Sequence, residues 1–233
     1  MTDPHALPKY VQTAEMLIRD IGSGRLSDGE RLPPEREMAA DLGLSVGTLR
    51  KALSSLEEKG LLERIHGSGN YIRARADASA IYAFFRLELL DGGGLPTAEV
   101  LSVKAQEKPG DAPFFGAAAH GHRVRRLRSL SGQPVALEEV WIDGERAPSV
   151  HESDLSESLY LFYRKSLGFW ISRAEDRVGI GPVPAWAPER FPPCPGDPAG
   201  YVERVAEDQN GAKVEYSRTW FDPDRARYVA RLR

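Results

Sequence analysis

Arg126 and Arg128 stand two residues apart in HRVRRLRSL, a run that reads as a strand, so both side chains leave the same face. Two guanidinium groups projecting together can clamp a carboxylate or phosphate through bidentate hydrogen bonds. Glu138 and Glu215, on other strand-like runs, can accept hydrogen bonds from hydroxyl or amine groups elsewhere on such a ligand. Ser158 and Tyr160 lie near the start of the helix-like LSESLYLFYRKSLGF, where hydroxyls and free backbone N–H groups also favour an anion. A plainer reading is an exposed strand whose arginines pair with Glu138 or Glu139 across a hairpin. Such a surface pair is worth only ~0–1 kcal/mol and says nothing of function. On these residues alone the plainer reading is the simpler one.

A second group of residues has a different chemistry. Leu42 to Ile72 reads LGLSVGTLRKALSSLEEKGLLERIHGSGNYI. Leu49, Ala52, Leu53 and Leu56 follow helical spacing and mark a buried stripe. By subtraction Ser45, Gly47, Thr48, Arg50, Lys51 and Ser54 face outward. Arg50 has the fork that pairs with a guanine edge, and the small residues near the helix start permit close approach. Arg36, opening the preceding helix, suits a phosphate. Behind the helix, HGSG joins two strand-like runs, and the glycines let His66, Gly67, Ser68 and Gly69 bring backbone close to a phosphate or a minor groove. A helix, a glycine turn, a second helix and a hairpin make a winged helix-turn-helix. The same unit can serve as a protein-interaction module.

Other chemistry finds little support. The five histidines are His5, His66, His120, His122 and His151, and only His120-Gly-His122 hints at a metal pair, without a clear third ligand. The single cysteine, Cys194, excludes an internal disulfide and lies in a proline-rich loop. No phosphate loop, nucleophile elbow or Cys–His constellation occurs, so neither cofactor nor metal is expected and the chain does not read as an enzyme.

The elements must then position these groups. Lys9–Ile21, PPEREMAADLG and Ser45–Lys59 read as helices, the last capped by Ser45 and stopped by Gly60. Residues 75–83 read as a linker between a domain at 1–74 and another at 84–233. Beyond it come EVLSVKAQE, HRVRRLRSL, QPVALEEVWID, GYVERVAEDQNG and AKVEYSRTWFD, with hairpin turns at Ser131-Gly132 and Asn210-Gly211. The fold class is α+β, a winged helix-turn-helix followed by a mixed sheet with a few helices. Neither a membrane span nor a secretory signal is present, so a cytoplasmic protein is expected. Net charge is −3, and residues 1–78 hold 11 Lys/Arg against 12 Asp/Glu, so DNA binding must rest on where charges sit rather than on their sum.

The run from Pro8 to Ile72 closely resembles the DNA-binding domain of GntR-family bacterial regulators, through its LPxER, S-x-x-T-L-R-x-A-L and G-L-x-x-x-x-G-x-G elements. The resemblance implies a dimeric repressor on a pseudo-palindromic operator, with Arg36, Ser45, Thr48, Arg50, His66, Gly67 and Gly69 at positions that contact DNA. Val46 departs from the family, many of whose members carry arginine there, which removes one polar contact. The second part resembles the UTRA effector domain of HutC-type members through residues 125–142, the SLY at 158–160 and residues 211–228. That implies a chorismate-lyase-like antiparallel sheet binding a small metabolite, and favours the anion pocket of Arg126, Arg128, Glu138, Ser158, Tyr160 and Glu215. The competing functional class is a small-molecule-binding or catalytic domain whose winged helix makes protein contacts.

Overall fold

The computed structural model describes residues 8–73, 84–155 and 158–231, which leaves the expected linker at 75–83 outside the described residues. The described residues divide into two compact units, one of residues from 8 to 87 with the C-terminal stretch from 228, the other of residues from 88 to 227.

In the first unit, α1 (Lys9–Gly22) turns Ala14, Leu17, Ile18 and Ile21 inward, each at most 2% exposed. A short α2 (Glu35–Asp41) starts behind Pro34, whose fixed φ suits a helix entrance. Gly43, at φ +62°, reverses the chain. The next helix, α3 (Val46–Glu58), is capped by Ser45, whose Oγ accepts from the Thr48 N–H at 3.1 Å. Leu49, Ala52, Leu53 and Leu56 are fully buried, the stripe that periodicity marks. Gly60 then adopts φ +69° and ends the helix. The antiparallel pair β1 (Leu62–Ile65) and β2 (Gly69–Ile72) forms the wing, turning through Gly67 at φ +73°.

In the second unit a short β3 (Leu87–Leu89) precedes four long strands and a helix: β4 (Pro96–Glu107), β5 (His120–Leu130), β6 (Gln133–Asp143), α4 (Leu159–Phe162) and β7 (Ile171–Pro182). Then follow β8 (Pro198–Asp208), β9 (Lys213–Phe221) and β10 (Ala226–Tyr228), the last pairing with β3. The main sheet is antiparallel in the order β4-β5-β6-β9-β8-β7. Ser131 and Gly132 both have positive φ, +48° and +80°, the geometry of a two-residue hairpin turn between β5 and β6. After β6 the chain leaves the sheet, crosses α4, and re-enters at the far edge as β7. That strand is absent from the runs expected above. ISRAEDRVGIGP is exposed along most of its length, with Val178 and Ile180 among its exposed residues, so the usual alternation is missing.

The helix after Ser158 also departs from expectation. It is one α turn that widens into a π turn, Tyr163–Leu167, and stops at Gly168 with φ +73°. Leu159, Phe162 and Tyr163, at i, i+3 and i+4, share one face and are all buried.

The sheet has two unlike faces. One carries two apolar clusters: Phe115, Trp141 and Tyr216, and Leu127, Leu137, Val183, Phe191, Ala199 and Trp220. Each large side chain there contributes about 1.5–3 kcal/mol by leaving water. The other face mixes Ala136, Val140 and Ile142 with charged groups. On that face Gly200 of β8 lies opposite Phe221 of β9, where an added Cβ would meet the ring at 2.1 Å. Gly200→Ala should therefore destabilise the protein by about 1–3 kcal/mol through overpacking, measured by urea unfolding. An unchanged midpoint would mean that the ring has room to move.

Candidate functional sites: an exposed helix face and a buried charge cluster

The first site is built by what α3 leaves in water. Ser45, Gly47, Arg50 and Lys51 are exposed and Thr48 half-buried, so the groups expected to face outward share one surface. Arg36 of α2 is exposed, as are His66 and Gly67 at the wing tip, with Ser68 and Gly69 half-buried. The Arg50 guanidinium receives support that the sequence did not announce: its Nε donates to Glu35 Oε2 at 2.6 Å. That bond, ahead of a small opposing effect of burial, holds the Glu35 carboxyl below its ordinary range. Arg64 ties wing to helix, donating to Ser54 Oγ at 2.9 Å and pairing with Glu57 at 2.9 Å. Arg31 is a further candidate that motif reading passed over. It bridges to Tyr71 of β2, and its Nε would lie 3.1 Å from a Cβ added at Gly69. Exposed against the wing, it adds a cation beside the hairpin glycines.

The second site follows from sheet register. Arg126 of β5 lies directly opposite Glu138 of β6, and its Nη2 donates to Glu138 Oε2 at 2.5 Å. Arg128 Nε approaches the other carboxylate oxygen at 3.8 Å. The pairing that the plainer reading expected is thus present, but not at the surface: the arginine side chains are 6% and 3% exposed. Arg125 points to the opposite face and pairs with Glu139 at 2.8 Å.

Two strands further, Arg204 of β8 donates both arms to Asp176 of β7, each at 2.6 Å. Between these pairs stands Glu215 of β9, in register with Ile142 of β6 and Ala206 of β8. Tyr160 Oη donates to Glu215 Oε1 at 3.3 Å, and Tyr163 Oη donates to Oε2. Ser158 is buried and caps α4, accepting from the Leu161 N–H at 3.3 Å. The structure therefore gathers Arg126, Arg128, Glu138, Tyr160 and Glu215 on one sheet face, with Ser158 at the start of the covering turn. Tyr163, Arg204 and Asp176 join them. Asp176 escaped notice because its strand did, and Arg204 because its carboxylate partner is 28 residues away.

The carboxylates of this cluster are in opposite states of comfort. Burial works to raise Glu138, but the charges of Arg126 and then Arg128 outweigh it and hold its pKa below the ordinary value. Burial raises Glu215, and neither the bond from Tyr163 nor the charges of Arg204 and Arg126 cancel that cost. Burial, then the Glu215 charge, pushes both tyrosines upward, so they stay phenols and donors. Arg126 keeps two buried donors, on Nε and Nη1, that meet no acceptor among the described residues. Each such unpaired buried group costs about 1–3 kcal/mol or more.

No group of histidine, cysteine or carboxylate side chains among the described residues could hold a metal ion, and no helix among them is long and apolar enough to cross a membrane. His122 is buried within β5, where burial lowers its pKa.

With this geometry in place, comparison with known proteins is informative. Residues 9–72 match the bacterial regulatory proteins of the gntR family, and residues 91–227 match the UTRA domain. The transcriptional regulator SmoD of Agrobacterium fabrum is 57% identical over 228 residues, covering 98% of this chain and 97% of that protein. The repressor NagR of Bacillus subtilis is 26% identical, covering 96% and 94%. MngR of Escherichia coli, the mannosyl-D-glycerate transport/metabolism system repressor, is 27% identical, covering 93% and 92%. Among solved structures, the possible transcriptional regulator YydK from Bacillus subtilis superposes with TM-score 0.53 at 21% identity, over 97% of this chain and all of that one. It shares the fold.

The opposite shifts of the two glutamates give a test. A carboxyl raised in the folded state favours its protonated form, so its contribution is full below the ordinary carboxylate range and lost as pH rises through the folded value. The melting temperature of the wild type relative to Glu215→Gln should therefore fall as pH is raised from about 4 to about 8. A difference that stays constant across that range would mean that Glu215 is not raised.

Proposed function

The chain belongs to the GntR family of bacterial transcription regulators, a winged helix joined to a UTRA domain, and from that premise we propose that it is a cytoplasmic, ligand-responsive repressor of the HutC type. It binds a pseudo-palindromic double-stranded operator as a homodimer. A small anionic metabolite in the buried charge cluster modulates that binding. The family and the relatives it matches are transcription regulators, not enzymes. NagR and MngR are both named as repressors, which supports the sign of regulation.

The observation that carries the effector reading is Arg126, buried with donors on Nε and Nη1 that no group among the described residues accepts. A carboxylate, phosphate or similar oxyanion fills two such donors at once. Glu138 and Glu215 are then left to accept from hydroxyls of the same ligand. MngR, named for a sugar derivative that carries a carboxylate, is in keeping with this chemistry.

At the other unit, Arg50 reads a base edge, while Arg36 and the wing residues His66, Gly67, Ser68 and Gly69 position the protein on the backbone, with Ser45, Gly47, Thr48 and Lys51 completing the surface. Val46 gives this surface one polar contact fewer than many relatives have, so its half-site differs from theirs. Ligand changes operator affinity only to the extent that it binds the two states of the dimer unequally.

Selection from random genomic fragments at two salt concentrations should recover a palindromic site whose affinity falls steeply with salt, because phosphate neutralisation releases counterions. Recovery of no selective sequence, with or without added metabolites, would overturn the regulator reading and favour a winged helix used for protein contacts. On the recovered operator, Arg50→Ala should cost about 1–3 kcal/mol and relax preference at one base pair of each half-site. The double change Arg126→Ala with Arg128→Ala should leave operator affinity intact while abolishing release by phosphorylated or carboxylated sugars that act on the wild type. An unchanged ligand response in that variant would place the effector elsewhere.

A further inference from the structure

The near-balance of charge in the winged helix conceals an uneven distribution. Among residues 8–73, Arg19 and Arg25 pair with Asp20, Arg50 with Glu35, Lys59 with Glu15, Arg64 with Glu57 and Arg73 with Glu63. Lys9, Arg31, Arg36 and Lys51 are exposed and form no ion pair among the described residues. Arg36 and Lys51 already belong to the surface drawn from α2 and α3. Arg31 lies outside the helices, one residue before the LPxER element, and no motif of the chain gives it a role.

A solvated arginine on a loop is common, and exposure by itself says little. Arg31 differs in being held. Its backbone is built into the wing: Leu32 N–H donates to Asn70 O at 2.9 Å, Ile72 N–H donates to Glu30 O at 2.8 Å, and Arg31 bridges Tyr71 antiparallel. The segment runs along β2 as a third strand would. Facing residues of antiparallel strands share a side, as do residues two apart, so Arg31, Tyr71 and Gly69 lie on one side of the wing. Gly69 has φ +136° and no side chain, and the Arg31 side chain lies over it, with Nε 3.1 Å and Nη2 3.6 Å from where a Cβ would stand. Tyr71 Oη shares a hydrogen bond of 2.7 Å with Ser68 Oγ near the tip. The carboxylates next to Arg31 in sequence and across the wing are committed elsewhere. Glu30 accepts from the Ser27 N–H at 2.8 Å, and Glu63, opposite Tyr71 on β1, pairs with Arg73.

We propose that Arg31 binds a DNA backbone phosphate beside the wing and so fixes the wing's seat on the operator. This contact rests on the operator-binding reading above and stands at a position outside the motifs that carry the family resemblance. A guanidinium offers a phosphate two parallel N–H donors. Because the side chain is already laid over Gly69, little rotamer freedom is left to lose on binding. The missing Cβ at Gly69 lets the guanidinium stand against the hairpin backbone, so the phosphate contact and the wing move as one piece. A phosphate contact positions the protein without reading sequence, so Arg31 governs affinity and salt response rather than base preference.

Operator affinity of the wild type, Arg31→Gln, Arg31→Lys and Lys104→Gln is measured over a salt series, on the selected operator and on versions changed at one base pair of each half-site. Glutamine keeps a stem over Gly69 and removes the charge. It should weaken binding about tenfold for each chain bound. It should also lower the slope of log affinity against log salt by about 0.9 per chain. The preference for the selected operator over the changed ones should stay as it is. Arg31→Lys keeps the charge and should retain the slope while losing part of the affinity, because an ammonium has no fork. Lys104→Gln removes the same charge from an exposed position of β4 and should change neither quantity. Operators with single neutral methylphosphonate links give a second measurement. One such position in each half-site should weaken the wild type and add nothing to the loss in Arg31→Gln. A slope unchanged in Arg31→Gln, a slope lowered equally by Lys104→Gln, or a loss confined to particular base pairs would overturn the phosphate contact and leave the regulator reading standing. A wild type that selects no operator would overturn that reading, and this contact with it.

Discussion

A guanidinium and a carboxylate set opposite each other on neighbouring strands, both nearly out of water, are tolerable only while each charge is answered. Arg126 and Glu138 are such a pair, and the register of β5 on β6 is what places them together. Neither charge is there for stability. An ion pair of this kind is commonly no better than well-packed apolar side chains, and breaking it by removing one partner costs about 3–5 kcal/mol. The neighbouring Glu215 is held even less comfortably, in a site that favours its protonated form. A sheet face that carries Arg126, Arg128, Arg204, Glu138, Asp176 and Glu215 where it could carry valines is built for something other than holding the fold.

The burden of stability falls on the opposite face. There Leu127, Leu137 and Trp220 meet Val183 and Phe191, and Trp141 meets Phe115 and Tyr216. Because strands alternate their side chains, each residue of β5 and β6 serves one task or the other: Leu127 and Leu137 pack, Arg126 and Glu138 carry charge. Arg125 and Glu139 fall on the packing face, where their ion pair lies beside Trp186. The strict period of two lets one sheet carry an apolar core on one face and a charge cluster on the other.

The winged helix solves a different problem, exposing reading groups without losing order. Its helix is pinned by a fully buried stripe on one side, so the residues at the other side keep fixed directions. Glu35 holds Arg50, and Arg64 links the wing to Ser54, so long side chains that are otherwise free are already restrained. Restraint before binding lowers the entropy lost on binding. It also explains how a domain with nearly balanced charge can meet a polyanion: Glu57 and Glu63 are engaged by Arg64 and Arg73, away from Ser45 and the start of α3.

What the sequence alone determined is whatever depends on neighbours along the chain. Ser45 and Gly60 mark the ends of α3, Leu49 to Leu56 mark its buried side, and Ser131-Gly132 marks a hairpin, because caps, stripes and turns are local events. The same holds for the shared face of Arg126 and Arg128, which needs only strand periodicity. Tertiary structure decided the rest. Whether those arginines were a surface pair or a buried cluster depended on what covers the face, and no local pattern records that. β7 was invisible because most of its positions are exposed, apolar Val178 and Ile180 among them, so no alternation of buried apolar and exposed polar residues marks its sequence. Arg204 and Asp176 met only when β8 lay against β7, and Tyr163 reached Glu215 only when the helix after Ser158 packed on the sheet. Burial and cross-strand register are properties of chain segments far apart in sequence, and they exist only once the sheet has closed over its own charges.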